Sequence, residues 1–584
     1  MSQRQRDGFQ WALVFCLLGV VCMPIYAAEP SFDLEPQFGG GAESSPDPGA
    51  SQVLPPLKLP ESSQKSVIKK PLLRLKTVVL RGNTVLTEEE VKAVVAPYIQ
   101  KDLNTQELQS LRQKLTMLYV NRGYINSGVV IPEQAPVDGV LLLQVMEGKL
   151  VEVFLEQEST LDENYIARQI AKEVSAPLSL GDIEAGIRRL EINPLIRRVD
   201  GRLLPAEKIG EARLGLKVEE NNPFSVTTSL DNHESPSVGA ERGSLLLEHL
   251  NLSGHRDELR FSLAATEGLR KAFVSYRLPF WEDLMSFGIH YERGTSEVVE
   301  RPFDDLDIEG DTENAAVSLG YHFIDTLDRK VSLLSGIEYA YSETELLDQP
   351  YSFSSGAQQG ETVSASVRLG VEWVERWDSQ LLALRATVRR GVDWLGSTMI
   401  EEGAATRELD TGAEIPDSRF TIFLTQAQWA NRLTLLDSQV LVNLAWQQSR
   451  DPLLSVDKFA IGGKHTVRGF RENALLRDSG AYANLEWRVP LLRDNPEWSG
   501  WELTAIPFFD YGRSWDRDDN LTTHSAATLT SIGVGLTARP MDDLYMELFY
   551  GKQLKDDDYQ AGQEHDLQDE GIHFSVSYRW SPNT

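Results

Sequence analysis

Between Phe224 and Trp580 the chain repeats one pattern, an alternation of apolar and polar side chains with a period of two. Val363, Ala365, Val367, Leu369, Val371 and Trp373 alternate with Thr362, Ser364, Ser366, Arg368, Gly370 and Glu372. Val331, Leu333, Ile337, Tyr339 and Tyr341 do the same against Ser332, Gly336 and Glu338. The last segment sets Phe574, Val576, Tyr578 and Trp580 against His573, Ser575, Ser577 and Arg579. Successive side chains of a strand point to opposite faces, so each segment is a strand with one apolar and one polar side. A soluble sandwich shares that alternation, and the connections separate the two cases. Short turns at 252–255, 279–283, 325–329, 375–378, 435–438, 489–500 and 540–543 interleave with longer ones. The long, mostly acidic connections lie near 294–311, 344–360, 394–418, 451–479, 511–527 and 553–570. A meandering bacterial barrel has this asymmetry, with short turns at one rim and long loops at the other. The pattern predicts an all-β transmembrane barrel of about sixteen antiparallel strands, over residues 222–584.

The N-terminus agrees with an exported barrel. Arg4 and Arg6, an apolar run over 11–21 and the small pair Ala27-Ala28 form a secretory signal over residues 1–28. The apolar run is too short for a membrane-spanning helix, and a polar, Pro-rich stretch follows it. Both cysteines, Cys16 and Cys22, lie within the signal. The mature chain therefore has no thiol, which excludes disulfides, thiolate metal sites and cysteine nucleophiles. A net charge of −30 argues against a nucleic-acid partner, because phosphate binding needs a basic surface.

Residues 29–71 are rich in Pro, Gly and Ser and read as a flexible linker. A β-α-α-β-β order follows over 72–148. A strand at 75–80 leads to a helix from Glu88 to Val95, capped by Thr87 and ended by Pro97. A second helix over 105–121 carries Leu108, Leu111, Leu115 and Leu118 on one face, and strands near 125–131 and 140–145 complete the unit. The order recurs more loosely over 149–221, which predicts two tandem α+β modules ahead of the barrel.

The segment 451–512 carries the most specific chemistry. Val467-Arg468-Gly469-Phe470 stands in a long connection, and Phe508-Phe509-Asp510-Tyr511-Gly512 ends a later strand. A guanidinium meets a carboxylate through two parallel charged hydrogen bonds, so Arg468 and Asp510 are candidates for an ion pair that pins the loop inside the barrel. Gly469 would supply the turn that points Arg468 inward, and Phe470 would pack on the inner wall.

With these motifs the chain resembles the two-partner secretion transporters of the TpsB class, the ShlB/FhaC/HecB-like haemolysin secretion/activation family. That family belongs to the POTRA-containing superfamily of outer-membrane barrels. In the first module Tyr119, Arg122-Gly123-Tyr124, Pro132-Glu133-Gln134, Asp138-Gly139 and Glu147-Gly148 fit its GY, P-x-Q, DG and V-x-EG signatures. At the barrel entrance, Leu230-Asp231-Asn232, Gly239 and Asn251-Leu252-Ser253-Gly254 resemble its LDN…G…NLxG run. Ile461-Gly462-Gly463 before Val467–Phe470, and Phe508-x-Asp510-x-Gly512, resemble its barrel motifs. The chain departs from the family at two points: Ser581–Thr584 extend past the final aromatic Trp580, and residues 31–63 hold too many Pro and Gly for a plug helix.

The resemblance implies two periplasmic POTRA modules, at 72–148 and 149–221, below a barrel in the outer membrane of a Gram-negative bacterium. It implies a secreted TpsA-like client, haemolysin- or adhesin-like, captured by the modules, with outer-membrane lipid and the barrel-assembly machinery as further partners. An assembly factor of the same superfamily and a passive porin stay as alternatives. No cofactor, metal or catalytic residue is expected. Gly462-Gly463-Lys464-His465-Thr466 is not a phosphate loop, because Lys458 stands where the leading glycine belongs. The acidic run 556–558 lacks the glycine turn and terminal glutamate of a calcium loop. No nucleophile elbow and no HExxH pair occurs among the nine histidines.

Overall fold

The computed structural model describes residues 73–134, 138–401, 405–408, 413–493, 500–517, 526–556 and 565–582. The signal and linker expected over 1–71 lie outside these residues, as does most of the acidic run at 556–558. The described chain divides into two compact units at the step from Asn221 to Asn222.

The N-terminal unit holds two small sheets of three strands, each with a pair of helices. In the first, Thr77–Arg81 pairs in parallel with Val140–Met146, which pairs antiparallel with Gly128–Val130. Helix Glu88–Val95 starts where Thr87 accepts the Glu90 N–H and the Glu90 carboxylate returns to the Thr87 N–H. Asn104 and Glu107 form the same reciprocal cap on helix Thr105–Asn121. Leu111, Leu115 and Tyr119 recur at helical spacing and bury against Leu141, Leu143 and Val145. Pro97 follows the first helix, which ends at Val95 as expected. It sits at the start of a 3-10 turn, Ala96–Tyr98, where its missing N–H costs nothing. In the second sheet Lys149–Leu155 runs parallel to Glu211–Glu220, which pairs antiparallel with Ile196–Pro205. Asp162 and Ser179 cap its helices, Glu163–Glu173 and Leu180–Glu191.

The C-terminal unit is a closed antiparallel barrel of sixteen strands, the expected number, with one extra two-residue piece, Gln349–Pro350, beside the seventh strand. Each strand pairs with the next in sequence. The first, Phe224–Asp231, closes on the last, Ile572–Trp580, with Ser575 opposite Asp231 and Trp580 opposite Val226. Closure leaves no free edge, the condition under which a sheet can stand in hydrocarbon. The alternation sorts the two faces. On Thr362–Arg376, Val367, Leu369, Val371 and Trp373 are exposed, and Ser364, Ser366 and Gly370 are not. Two strands overrun the expected boundaries. Ile308–Asp325 and Arg329–Leu346 are each 18 residues long, well beyond what spans a bilayer. Their loop ends keep the alternation with Glu309, Glu313, Glu343 and Glu345 in place of apolar residues, so the hairpin continues into water.

Candidate functional site

The connection between Ser438–Ser449 and Ser479–Leu492 folds back into the barrel rather than away from it. A short hairpin, Phe459–Ile461 against Leu475–Arg477, forms its stem. Phe459, Ile461, Val467, Phe470 and Leu475 bury in one cluster with wall residues Leu424, Ala445, Ala527 and Leu529. Apolar packing on the inner wall thus holds the loop, and charge fixes its register.

Arg468 is 2% exposed and Asp510 fully buried. Arg468 Nε donates to Asp510 Oδ2 at 2.8 Å and Nη2 to Asp510 Oδ1 at 2.8 Å, a two-pronged contact. The Arg468 backbone N–H donates to the same carboxylate at 3.0 Å. Nη1 reaches a second carboxylate, Glu486 Oε1, at 2.6 Å. The guanidinium lies 3.8 Å from the centre of the Phe508 ring and 5.1 Å from that of Phe549 on the strand Leu544–Asp556, so the inward face of the strand motif and a second strand serve the same cation. Asn484 Nδ2 donates to Asp510 Oδ1 at 2.9 Å and completes the set. Burial works against the charge on Arg468. The Asp510 and Glu486 carboxylates outweigh it and hold the guanidinium charged above its ordinary range.

Two glycines let the loop approach the wall. Gly469 has φ +90°, and a Cβ there would stand 2.6 Å from the Gly551 carbonyl oxygen. A Cβ on Gly512 would meet Val467 Cγ2 at 2.7 Å, so the last glycine of the strand motif is a seat for the loop valine. The Gly469 N–H donates to His573 Nε2 at 3.2 Å, and Gln553 Nε2 donates to the Gly469 carbonyl at 2.6 Å. Gly551→Val is expected to unseat the loop tip without touching a charge, because its side chain would overlap the Gly469 backbone. The check is limited proteolysis of folded barrels, with faster cleavage inside 462–477 in the variant.

Further charges tie the loop around the inner circumference. Arg471 contacts Glu300 and Asp569, each at 2.7 Å. Burial opposes its charge and those two carboxylates more than restore it. Lys464 meets Glu547 at 2.7 Å, and Arg477 meets Asp516 at 2.6 Å. Asp457, at the loop's start, pairs with Arg389 at 2.9 Å, and Arg389 pairs in turn with Glu338 at 2.8 Å. Burial pushes the Glu472 carboxyl up to about 8, although it accepts the Lys464 N–H at 2.6 Å. Among the described residues no group of His, Cys, Asp and Glu is arranged to hold a metal ion.

Residues 210–538 match the family of the haemolysin secretion/activation protein ShlB/FhaC/HecB, over more than half of the 584 residues. The chain belongs to the ShlB/FhaC/HecB family. Residues 73–148 match the POTRA domain of ShlB type. The outer membrane transporter CdiB of Dickeya dadantii is 25% identical over 482 residues, 80% of each chain. The heme/hemopexin transporter protein HuxB of Haemophilus influenzae is 23% identical over 500 residues, 82% of this chain and 83% of HuxB. The solved structure of CdiB from Escherichia coli superposes with a TM-score of 0.63 at 22% identity, covering 90% of this chain and 93% of that one. As a member of the ShlB/FhaC/HecB family, the chain is a two-partner secretion transporter, an outer-membrane barrel with a periplasmic POTRA domain.

The structure brings together all seven residues that the motifs single out in this ShlB/FhaC/HecB chain. Val467, Arg468, Gly469 and Phe470 lie on the loop, and Phe508, Asp510 and Gly512 on the strand beneath it. Sequence reasoning missed Glu486, Asn484 and Phe549, which share the site, and the second charge cluster of Arg389, Glu338 and Asp457. Glu486 had a visible trace. It stands between Leu485 and Trp487, at a polar position of an alternating strand, and so faces the lumen.

Proposed function

We propose that this protein is the export pore of a secretion pair whose client is a large haemolysin- or adhesin-like protein, and that the loop anchored by Arg468 orders the lumen through which the client passes. The observation that carries the reading is the buried Arg468, shared between Asp510 and Glu486 in the wall of a closed barrel. The units at 72–148 and 149–221 act as two POTRA modules that capture the unfolded client. Capture proceeds by adding a client strand to an exposed sheet edge, where backbone hydrogen bonds give affinity and side-chain pockets give selectivity. Thr77–Arg81 and Lys149–Leu155 both stand at the edges of their sheets and offer such positions. The client then threads through the barrel and folds outside. Folding there withdraws the translocated state and supplies direction without a nucleotide. The chain works by binding and passage, not by catalysis. Lipid surrounds the barrel, and the last strand, ending at Trp580, serves recognition by the assembly machinery.

Deleting 462–477 tests the loop's place in this scheme. The expected result is a larger ion conductance in a planar bilayer together with loss of export, since the loop occupies lumen space and orders the path. Unchanged conductance would rule out a loop that limits the pore.

A further inference from the structure

The outward face of the barrel changes character at its loop end between the ninth and fifteenth strands. Below that level the exposed outward residues are apolar or aromatic: Val388, Trp446, Phe509 and Tyr511, Leu548 and Tyr550. Beyond them, along the same faces, come Arg390, Arg513 and Lys552 at the next outward position and Arg450 one position further, past Gln448, all four exposed. Arg517 joins them just past the thirteenth strand. In a chain with 87 acidic against 57 basic residues, most lumenal cations are ion-paired, whereas the side chains of these five form no ion pair among the described residues; only the Arg517 backbone N–H meets a carboxylate, Asp478 Oδ2 at 2.9 Å.

Three of the five converge. Arg390 Nη1 donates to the Thr421 hydroxyl, and the Arg450 N–H donates to the Thr421 carbonyl at 3.1 Å. Arg517 Nε donates to the Arg450 carbonyl at 2.9 Å. The Arg450 guanidinium lies 5.0 Å from the centre of the ring of Phe423, an outward aromatic. Asp451 stands nearby, but its carboxylate accepts the Thr421 N–H at 2.8 Å and forms no ion pair with the three arginines. The outward positions of the strands from Thr421–Leu433 to Leu544–Asp556 carry no Asp or Glu within their apolar bands. By contrast, the hairpin of Ile308–Asp325 and Arg329–Leu346 is acidic at its outward loop end.

A lone cation on the lipid face is costly at the bilayer midplane and nearly free at the interface. Arginine forks over aromatic rings at the interface match phosphate oxygens. We infer that the Arg390–Arg450–Arg517 cluster is a binding site for the phosphate groups of an anionic glycolipid in the outer leaflet of the membrane. The inference rests on the barrel's outer-membrane placement and is independent of the loop's role in export.

The test uses the full-length protein in nanodiscs, titrated with bis-phosphorylated lipid A or with lipid A from which both phosphates have been removed, and read by native mass spectrometry. Wild type is expected to hold the phosphorylated lipid at least about 10-fold more tightly, given the contribution of each Lys or Arg near an anionic surface. The triple variant R390Q/R450Q/R517Q is expected to lose that preference, and R390K/R450K/R517K to keep part of it, since charge remains and the fork is lost. Heat-modified gel mobility restricts the comparison to folded barrels. Equal binding of the two lipids by wild type, or an unchanged preference in the glutamine variant, overturns the inference.

Discussion

Arg468→Ala is expected to reduce export of the partner protein to background while barrels still reach the membrane. The side chain is buried beside two carboxylates, Asp510 and Glu486, at 2.8 and 2.6 Å. Removing it opens an apolar hole lined by Phe508 and Phe549 and leaves Asp510 with no cation, while Glu486 keeps only Arg488, at 3.0 Å. Breaking a buried pair one-sidedly costs about 3–5 kcal/mol. The loop has other contacts, so the cost falls on its seating rather than on the barrel's own hydrogen bonds. Asp510→Ala should also impair export but somewhat less, because Arg468 keeps Glu486. Residues in contact do not act independently, so the double variant should be little worse than the more severe single one. Arg468→Lys should remain defective, since one ammonium cannot reproduce a contact made through Nε and Nη2 together. The measurement is secreted partner per folded barrel. Fully additive losses at equal barrel abundance would mean that the two residues do not touch in the working state.

The barrel was legible because a strand in a membrane wall must obey two rules at once. Its lipid face must be apolar along the whole span, and its ends must differ in loop length. Val363 to Trp373 shows the first rule, and the turns at 252–255 and 540–543 against the connection at 451–479 show the second. Where the wall leaves the bilayer the first rule lapses. Glu309, Glu313, Glu343 and Glu345 sit on paired strands, yet their composition is that of an acidic loop, so the strand ends could not be read there. The helix start was legible at Thr87 because caps are local. The helix end at Val95 was legible because Pro97 blocks a helix interior, whereas the 3-10 turn Ala96–Tyr98 that takes up the proline was not.

The site divides along the same line. Arg468, Gly469 and Asp510 stood out because each sits in a compact motif flanked by glycine and aromatic residues. Glu486 contributes as short a contact as Asp510 does, but it looks like any other inward polar residue of an alternating strand, and only the register shows that it lies opposite Phe508. Arg389 and Asp457 are 68 residues apart with no shared motif, and their meeting is a product of the loop folding back through the lumen. Gly551 carried a weak trace, since a glycine inside a strand marks a close backbone approach. Nothing in the sequence named Gly469 as the backbone that approaches it.

Deleting 72–220 is expected to leave a barrel that inserts, shows normal heat-modified mobility and exports nothing. The wall closes without the modules. Its seam is made by Phe224–Asp231 against Ile572–Trp580, reinforced where Asn232 accepts the Phe574 N–H at 2.8 Å and Gln568 donates to the Asn232 and Glu234 carbonyls at 2.7 Å. Closure satisfies every strand within the wall, so stability in lipid does not depend on what precedes it. The first module has a core of its own in Leu111, Leu115, Tyr119, Leu141 and Leu143. What the deletion removes is therefore the two sheets with their edge strands, Thr77–Arg81 and Lys149–Leu155, the surfaces proposed for client capture. A client that must be gripped before threading has no second route, because a pore without a docking surface has no means to raise the local concentration of one unfolded chain over the others. The readout is partner protein in the medium against partner retained in the periplasm, at matched barrel abundance. Export at the wild-type level from the truncated barrel would move capture off the modules and onto the lumen itself.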